Sequence, residues 1–500
     1  MIYNYIMENQ INTRKSIPHS LIWIISTVVL CTVFIMISIP GVQAQTRQQD
    51  STTHYISILR SVFDFIQRNY VKEVDPNVLF EGAMAGMLDS LEDPYSSFLF
   101  ESEMADLTDT TSGSYGGIGL YISKPVSRDG RPTFVEVAAP IEDTPGWRAG
   151  INPGDLIIEI NGEPTDFLTQ DEVLARLKGP PGDILKLLIR RGEKLEFPVT
   201  VTRAIIEVPT TKHAMIGNIG YLNLLTFTPM TSERARDAIN EFRSKGYSAL
   251  ILDLRNNHGG LLDSAVDVTN LFLEGGVVVT TKSRIPTSNH VYYARARAVV
   301  NQDIPMVVLI NRGSASASEI VAGALKDRGR AYLVGEKTYG KGSVQQVYNL
   351  DRVGFKLTTA LYYTPSDVNI DKIGIPPDLE VKFPEFTLAE SEKLNELINA
   401  NSIPEFVAAN PNVTSARIET FAAQLSLQYG LDTTLLKRLI RNELNRTVIA
   451  PVYDLEYDVQ LQEAVRILNM GNFRSLMQTT KTLKTLQDEA VRDEEFAKAS

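Results

Sequence analysis

Residues 305–325 read PMVVLINRGSASASEIVAGAL. Pro305 to Ile310 form an unbroken apolar run of strand length, and Ile320 to Leu325 continue as a helical stretch. Between them lies a turn of small and polar residues, Asn311-Arg312-Gly313-Ser314-Ala315-Ser316-Ala317-Ser318-Glu319. A strand that is apolar throughout suits a parallel sheet covered on both faces. A second such run, Ala249 to Leu254 (ALILDL), ends in Arg255-Asn256-Asn257-His258-Gly259-Gly260, and a third strand, Ala331 to Val334, runs into Gly335 to Ser343. The repetition predicts an α/β layout from about Gly220 to Pro384. In such sheets the active groups collect at the carboxyl ends of strands, so these turns are the expected place for functional residues.

Small residues in the 311–319 turn let the backbone bend sharply and let another segment approach. A hydroxyl at a helix start faces unpaired N–H groups that can stabilise an oxyanion. Ser and Glu there are also ordinary capping residues, so this stretch alone leaves nucleophile and cap both open. The turn Gly335-Glu336-Lys337-Thr338-Tyr339-Gly340-Lys341-Gly342-Ser343 nearly fits G-x-x-x-x-G-K-[ST], but Gly342 stands where the hydroxyl is required. Val344 to Leu350, with Gln345 and Gln346, reads as a strand, whereas a phosphate loop needs a helix N-terminus. Lys341 is then either a solvated loop lysine or a base. An unperturbed lysine, with a pKa of about 10.4, is only about 0.04% neutral at pH 7. Burial lowers that pKa, and a lysine flanked by glycines can enter a tight space and accept a serine proton. Such a pair needs no histidine, which fits a chain with only His19, His54, His213, His258 and His290. No CxxC or HExxH pattern supports zinc, and no G-x-S-x-G occurs.

Five hundred residues exceed one ordinary core, so two to four folding units are expected. An apolar fraction of 43%, with 22% charged residues, 32 Gly and 24 Pro, excludes collagenous, coiled-coil and wholly disordered chains. A net charge of −11 without a Lys/Arg run speaks against nucleic acid as a partner. Arg14 and Lys15 precede an uncharged apolar run, Leu21 to Ile39, closed by Pro40-Gly41 and followed by Val42-Gln43-Ala44, a small-residue cleavage pattern. Residues 1–44 therefore read as an export segment, either cleaved or retained as a membrane anchor through 21–39. Cys31 is the only cysteine, so no internal disulfide can form, and Leu30 before it does not suit lipid attachment.

Ile58, Val62, Phe65, Ile66 and Tyr70 recur at helical spacing, and Ala83 to Leu91 is a second helical stretch, so 45–107 is expected to be a helical region, broken at Asp93-Pro94. Residues 108–204 switch to short strands with Gly and Pro turns. There Gly116-Gly117-Ile118-Gly119-Leu120 leads into a strand, and Trp147 to Gly162 runs turn, strand, turn. Together these stretches resemble a PDZ domain, which accepts an extended peptide as an added strand and holds its carboxylate on backbone N–H groups. The resemblance gives Gly117, Ile118, Gly119 and Leu120 as the substrate C-terminus binding loop. Residues 386–500 are expected to be helical again, with apolar stripes at Leu435, Leu436, Leu439 and Ile440 and at Leu461, Val465 and Leu468. No internal repeat is present.

The motif set resembles the carboxy-terminal processing peptidases, the tail-specific serine protease family with a PDZ domain ahead of the catalytic core. The resemblance rests on Leu79 to Leu99, the PDZ stretches, Ile219 to Leu224, Asp253 to Gly260, the serine turn, Gly335 to Gln346 and Gly374-Ile375-Pro376-Pro377-Asp378. It implies a multidomain α+β architecture: helical N-terminal region, β-rich PDZ domain, α/β (crotonase-like) serine protease core over 205–385, and helical C-terminal extension. It implies Ser316 as nucleophile, Lys341 as general base and Gln345 as the residue orienting the lysine. The oxyanion hole would use the backbone N–H of Ala317 and of a glycine in the 259–260 turn, for which Gly260 is favoured. Ser314 and Ser318 would then be structural. His258 stands where many relatives have proline or glycine, which leaves a histidine base as an alternative. Implied partners are protein or peptide substrates with free apolar C-termini in a bacterial cell envelope, on the periplasmic side. The C-terminal helices are a candidate surface for homo-oligomers. No metal, nucleotide or other cofactor is implied. The rival from another class is a catalytically silent PDZ adaptor on a degenerate protease core.

Overall fold

The computed structural model of the chain describes residue 27 and residues 40–124, 133–192, 194–295, 297–383, 386–410, 412–447 and 451–499. Apart from Thr27, the apolar run Leu21 to Ile39 with Cys31 lies outside these residues. Among the described residues no helix is long and apolar enough to cross a membrane. The chain divides into two compact units, Met1–Ser90 and Leu91–Ser500.

In the first unit, α1 (Pro40–Asn69) contains Val42-Gln43-Ala44 and is followed by α2 (Pro76–Asp89). Asp75 caps α2 by accepting from Asn77 N–H at 2.9 Å, and Pro76 occupies the first turn, where a missing donor costs nothing. Ile58, Val62 and Phe65, spaced as a helical stripe, are exposed on α1.

The second unit begins with β1 (Ser97–Leu99) and α3 (Glu101–Ser112). The expected helix through Leu107 is thus interrupted by a strand, because Phe98 and Leu99 are buried against the sheet described below. A β-rich segment follows: β2 (Ser114–Gly117), β3 (Leu120–Ser123), β4 (Val135–Pro140), α4 (Pro145–Arg148), β5 (Leu156–Ile160), β6 (Glu163–Pro164), α5 (Gln170–Leu177), β7 (Ile184–Arg191), β8 (Leu195–Thr202) and β9 (Ala204–Glu207). Its antiparallel sheet has the order β3-β4-β5-β7-β8, with β6 on β5, while β2 pairs with β9. Alternate residues such as Val135 and Val137, or Leu185, Leu187 and Ile189, fill its core, as a period of two requires. Edge strand β3 lies beside α5.

The remaining sheets are built from β10 (Thr211–Ile216), β11 (Ile219–Leu224), α6 (Thr231–Ser244), β12 (Ala249–Asp253), α7 (Leu262–Thr269), β13 (Val277–Ser283), β14 (His290–Tyr293), β15 (Met306–Ile310), α8 (Ala317–Asp327), β16 (Tyr332–Gly335), β17 (Ser343–Leu350), β18 (Val353–Tyr363) and β19 (Leu379–Glu380). One sheet runs β10-β11-β12-β15-β16-β19, parallel except at β10. Every residue of β12 and β15 is buried, which explains why β15 is apolar throughout and β12 is apolar up to its last residue, Asp253. The other sheet is antiparallel, β1-β18-β13-β14, with β17 also on β18.

The helical end comprises α9 (Leu388–Asn399), α10 (Ser402–Ala409), α11 (Ser415–Tyr429), α12 (Thr433–Leu444), α13 (Val459–Asn469), α14 (Phe473–Met477) and α15 (Leu483–Ala499). The predicted stripe on α12 is buried at Leu436 and Ile440 in a cluster with α9, α10 and α11. Leu461, Ala464 and Ile467 of α13 instead cover one face of the parallel sheet, against Ile251, Val307, Leu309 and Val334. The architecture is therefore mixed α/β, with helical N- and C-terminal parts and a β-rich segment before the parallel sheet.

Candidate active site

Three turns at the carboxyl ends of three adjacent parallel strands meet: Leu254 to Gly260 after β12, Asn311 to Ser316 after β15, and Glu336 to Gly342 after β16. The serine turn is lashed to the first of them by its own small side chains. Ser314 Oγ donates to Leu254 O at 2.8 Å, Ser318 Oγ donates to Asn257 O at 2.8 Å, and Ala315 N–H donates to the same carbonyl at 3.0 Å. Both serines are fully buried, which explains why only hydroxyls of this size fit there.

Ser316 is the last residue before α8, with φ 55° and ψ −113°, a conformation that L-residues rarely adopt. Strain of this kind persists where surrounding bonds over-determine the backbone, and it clusters at functional sites. Its hydroxyl makes no capping hydrogen bond; instead Glu319 Oε2 accepts from the Ser316 N–H at 2.8 Å. Ala317 is the first helical residue, so its N–H has no intrahelical acceptor.

The two glycines differ in what they touch. A Cβ on Gly259 would lie 2.8 Å from Ser316 Cβ and 3.0 Å from Ala317 N, and its φ is +105°. Gly259 is therefore the glycine pressed against the serine turn. Its N–H, however, donates to Asn257 Oδ1 at 2.9 Å. Gly260 backs onto the Phe227 carbonyl, 2.2 Å from where its Cβ would be, and among the described residues its N–H has no assigned acceptor. His258 is exposed on the same turn, and no hydrogen bond joins it to Ser316 among the described residues.

Lys341 is half-buried. Its Nζ lies over the Tyr95 ring, 4.8 Å from the centroid, and no hydrogen bond joins it to Ser316 or Gln345 among the described residues. Burial, then the like charge of Lys356, lower its pKa, while Asp93 and Glu319 oppose that shift. Burial also penalises the Asp93 carboxylate, but hydrogen bonds from Ser96, Thr358 and the Tyr95 N–H, with the Lys341 charge, hold its pKa below the ordinary carboxyl value. Gln345 lies at a register shift in the β17–β18 ladder, and its Nε2 donates to Ser343 Oγ at 3.0 Å and Thr358 Oγ1 at 3.1 Å. The near-match to a phosphate loop leads into strand β17, with no helix after it.

In the β-rich segment Gly117, Ile118, Gly119 and Leu120 connect β2 to β3. The Ile118 carbonyl accepts from Gly146 N–H at 2.7 Å, and the Gly119 carbonyl accepts from Ile141 N–H at 2.9 Å. In a trans peptide the N–H points opposite to the carbonyl, so the N–H groups of Gly119 and Leu120 face away from these partners. Sequence reasoning did not single out Glu319 beyond capping, nor Tyr362, whose buried hydroxyl bonds the carbonyls of Ser316 (3.2 Å) and Lys341. The S-x-x-E pattern at 316–319 was visible, but no local pattern marks Tyr362.

Residues 218–381 match the family model for peptidase family S41, residues 136–191 match a PDZ domain, and residues 32–102 match the activating protease CtpB N-terminal domain. A carboxy-terminal-processing protease of Bartonella bacilliformis is 38% identical over 364 residues, covering 69% of this chain and 81% of that protein. The carboxy-terminal processing protease CtpA of Bacillus subtilis is 33% identical, covering 66% of this chain and 69% of its own length. A solved photosystem II D1 C-terminal processing protease is 29% identical, covering 65% of this chain and 92% of that one, with a TM-score of 0.40. With all three turns at the strand ends inside the matched segment and the match to the Bartonella protein running through most of that relative, the chain belongs to peptidase family S41, the carboxy-terminal processing serine proteases, and carries a PDZ domain.

Proposed function

We propose that this protein is an exported endopeptidase that cuts envelope proteins near their C-termini with a Ser316–Lys341 dyad, after its PDZ domain has captured the substrate's carboxyl end. The observation that carries the reading is the strained Ser316 at the tip of β15, with the Lys341 turn hydrogen-bonded alongside it. Ser316 Oγ attacks the scissile carbonyl carbon and passes its proton to neutral Lys341 Nζ. The tetrahedral oxyanion takes hydrogen bonds from the Ala317 and Gly260 N–H groups, two donors that no cap or ladder uses. Lys341 then protonates the leaving amine as the C–N bond breaks, and later accepts a proton from the water that hydrolyses the acyl-enzyme. For this the amine must leave the Tyr95 ring. Gln345 suits the orienting role because its NH2 is spent on Ser343 and Thr358, which leaves its carbonyl to accept from the amine.

PDZ capture is supported by the open edge of β3 and by the Gly119 and Leu120 N–H groups turned away from the fold. Export is supported by Arg14 and Lys15 before the apolar run at 21–39. The test compares residues 45–500 with Ser316→Ala and Lys341→Ala on an unfolded protein ending in apolar residues, and on the same protein with an amidated C-terminus. Cleavage by the parent alone, weakened by amidation, is expected. Cleavage surviving Lys341→Ala would move the base to His258, and an inert parent would favour the adaptor.

A further inference from the structure

Glu319 and Tyr362 tie together the main chains of both proposed catalytic residues. Glu319 is 0% exposed. Its Oε2 accepts from Ser316 N–H at 2.8 Å and from Lys341 N–H at 2.9 Å. Its Oε1 accepts from Thr338 Oγ1 at 2.6 Å and from Gly340 N–H at 2.7 Å. Tyr362 does the complementary job, its hydroxyl lying at the carbonyl of Ser316, 3.2 Å away, and at the carbonyl of Lys341. One carboxylate thus takes the N–H of nucleophile and base, and one phenol takes their carbonyls.

Capping does not account for this. Glu172 in α5 and Glu390 in α9 occupy the same capping-box position, the first exposed and the second only half-buried, and each bonds only its own N-cap residue. Glu319 is buried instead and reaches across to a different turn. Burial pushes its carboxyl pKa up, opposed by the four hydrogen bonds it accepts. A buried carboxylate with every lone pair directed at the two catalytic turns is placed to hold their separation. It also holds the unfavourable backbone of Ser316, whose N–H it binds.

We propose that Glu319 and Tyr362 are the positioning pair of this peptidase. They fix the main chains of Ser316 and Lys341 relative to each other and leave only the lysine side chain to move between Tyr95 and the serine. The inference rests on the Ser316–Lys341 reading. Its test measures kcat per folded molecule and KM for the unfolded substrate in the parent, Glu319→Gln, Tyr362→Phe, Ser316→Ala and, as a control, Glu390→Gln. An amide at 319 would turn its NH2 on N–H donors, whereas Tyr362→Phe removes a single hydroxyl and keeps the core volume.

Misplacing reacting groups by about 1 Å costs about a hundredfold. Glu319→Gln is therefore expected to lose about 100-fold and Tyr362→Phe about 10-fold in kcat, with KM within about twofold. Glu390→Gln is expected to match the parent. If Glu319→Gln does not fold, Tyr362→Phe decides alone. Folded variants that keep kcat within about twofold of the parent, or that change only KM, would overturn the pair while an inactive Ser316→Ala leaves the dyad standing. An active Ser316→Ala would overturn both.

Discussion

In the proposed dyad the Lys341 amine has to shed its proton before it can take one from serine, so under that proposal its neighbours set the pH at which activity begins. Burial lowers its pKa first, Lys356 lowers it further, and Asp93 and Glu319 pull it back up. Replacing Lys356 with Met removes a like charge, makes the ammonium form less costly and raises the Lys341 pKa. The acid-side limb of kcat/KM should then move to higher pH, and activity near neutrality should fall. Asp93→Asn should move the same limb to lower pH, because it removes a charge that favours the ammonium. A pH–rate profile of the two variants checks both signs, and limbs moving together or not at all would sink Lys341 as the titrating base. At this scale the turns that hold Ser316 and Lys341 were legible because small residues follow apolar strands there, whereas the roles proposed for the two side chains came through the family resemblance. The division of labour between Gly259 and Gly260 was not, since it depends on backbone direction: one presses on Ser316 and the other on Phe227.

Elements bring the turns together, and they do so through bonds that no local pattern announces. The carboxyl end of β12 is pinned by Arg255, whose guanidinium bonds Asp253 at 2.6 Å, Asp458 at 2.7 and 2.8 Å and Gln460 at 3.1 Å. Asp253 also accepts from the Tyr221 hydroxyl at 2.8 Å, and Asp458 caps α13 through Leu461 N–H at 3.0 Å. This network joins the turn carrying Gly259 and Gly260 to a helix near the end of the chain. Arg255→Met would leave Asp253, 2% exposed, with Tyr221 but no cation. Stranding a buried charge in this way costs about 3–5 kcal/mol. Urea unfolding should register a loss of that size for Arg255→Met, against about 1 kcal/mol for Asp458→Asn, which keeps an acceptor at the cap. A loss below about 1 kcal/mol for Arg255→Met would mean that water reaches Asp253 and the pin is dispensable. The strands were readable because β15 is apolar throughout and β12 is apolar up to Asp253, and the serine turn because it interrupts that texture. Strand β1 was hidden inside a helical-looking stretch: three residues carry no period, and only pairing with β18 makes them a strand.

At the scale of the whole molecule, the helical end of the chain does two different jobs. Helices α9 to α12 surround their own cluster at Leu397, Leu425, Leu436 and Ile440, as a separate appendage would. Helix α13 does not: Leu461 and Ala464 are 0% and Ile467 2% exposed, all against the face of the parallel sheet that carries Ile251, Val307, Leu309 and Val334. A parallel sheet needs both faces covered, and α13 with α14 supplies the second cover. Reading residues 386–500 as one extension missed this, because an amphipathic stripe shows that a helix has an apolar face but not what it packs on. The consequence is measurable. A chain ending at Thr447 would keep the α9–α12 cluster yet expose that sheet face. At about 1.5–3 kcal/mol for each large apolar side chain uncovered, the loss is on the order of 10 kcal/mol, comparable with the whole stability of a typical domain. Such a chain should aggregate or unfold without a cooperative transition, and its Ser316 should not react with an active-site serine probe. If it remained soluble with the parent's urea midpoint, α13 would be a removable cover and the sheet would be stable with one face bare, contrary to the burial pattern of β12, β15 and β16.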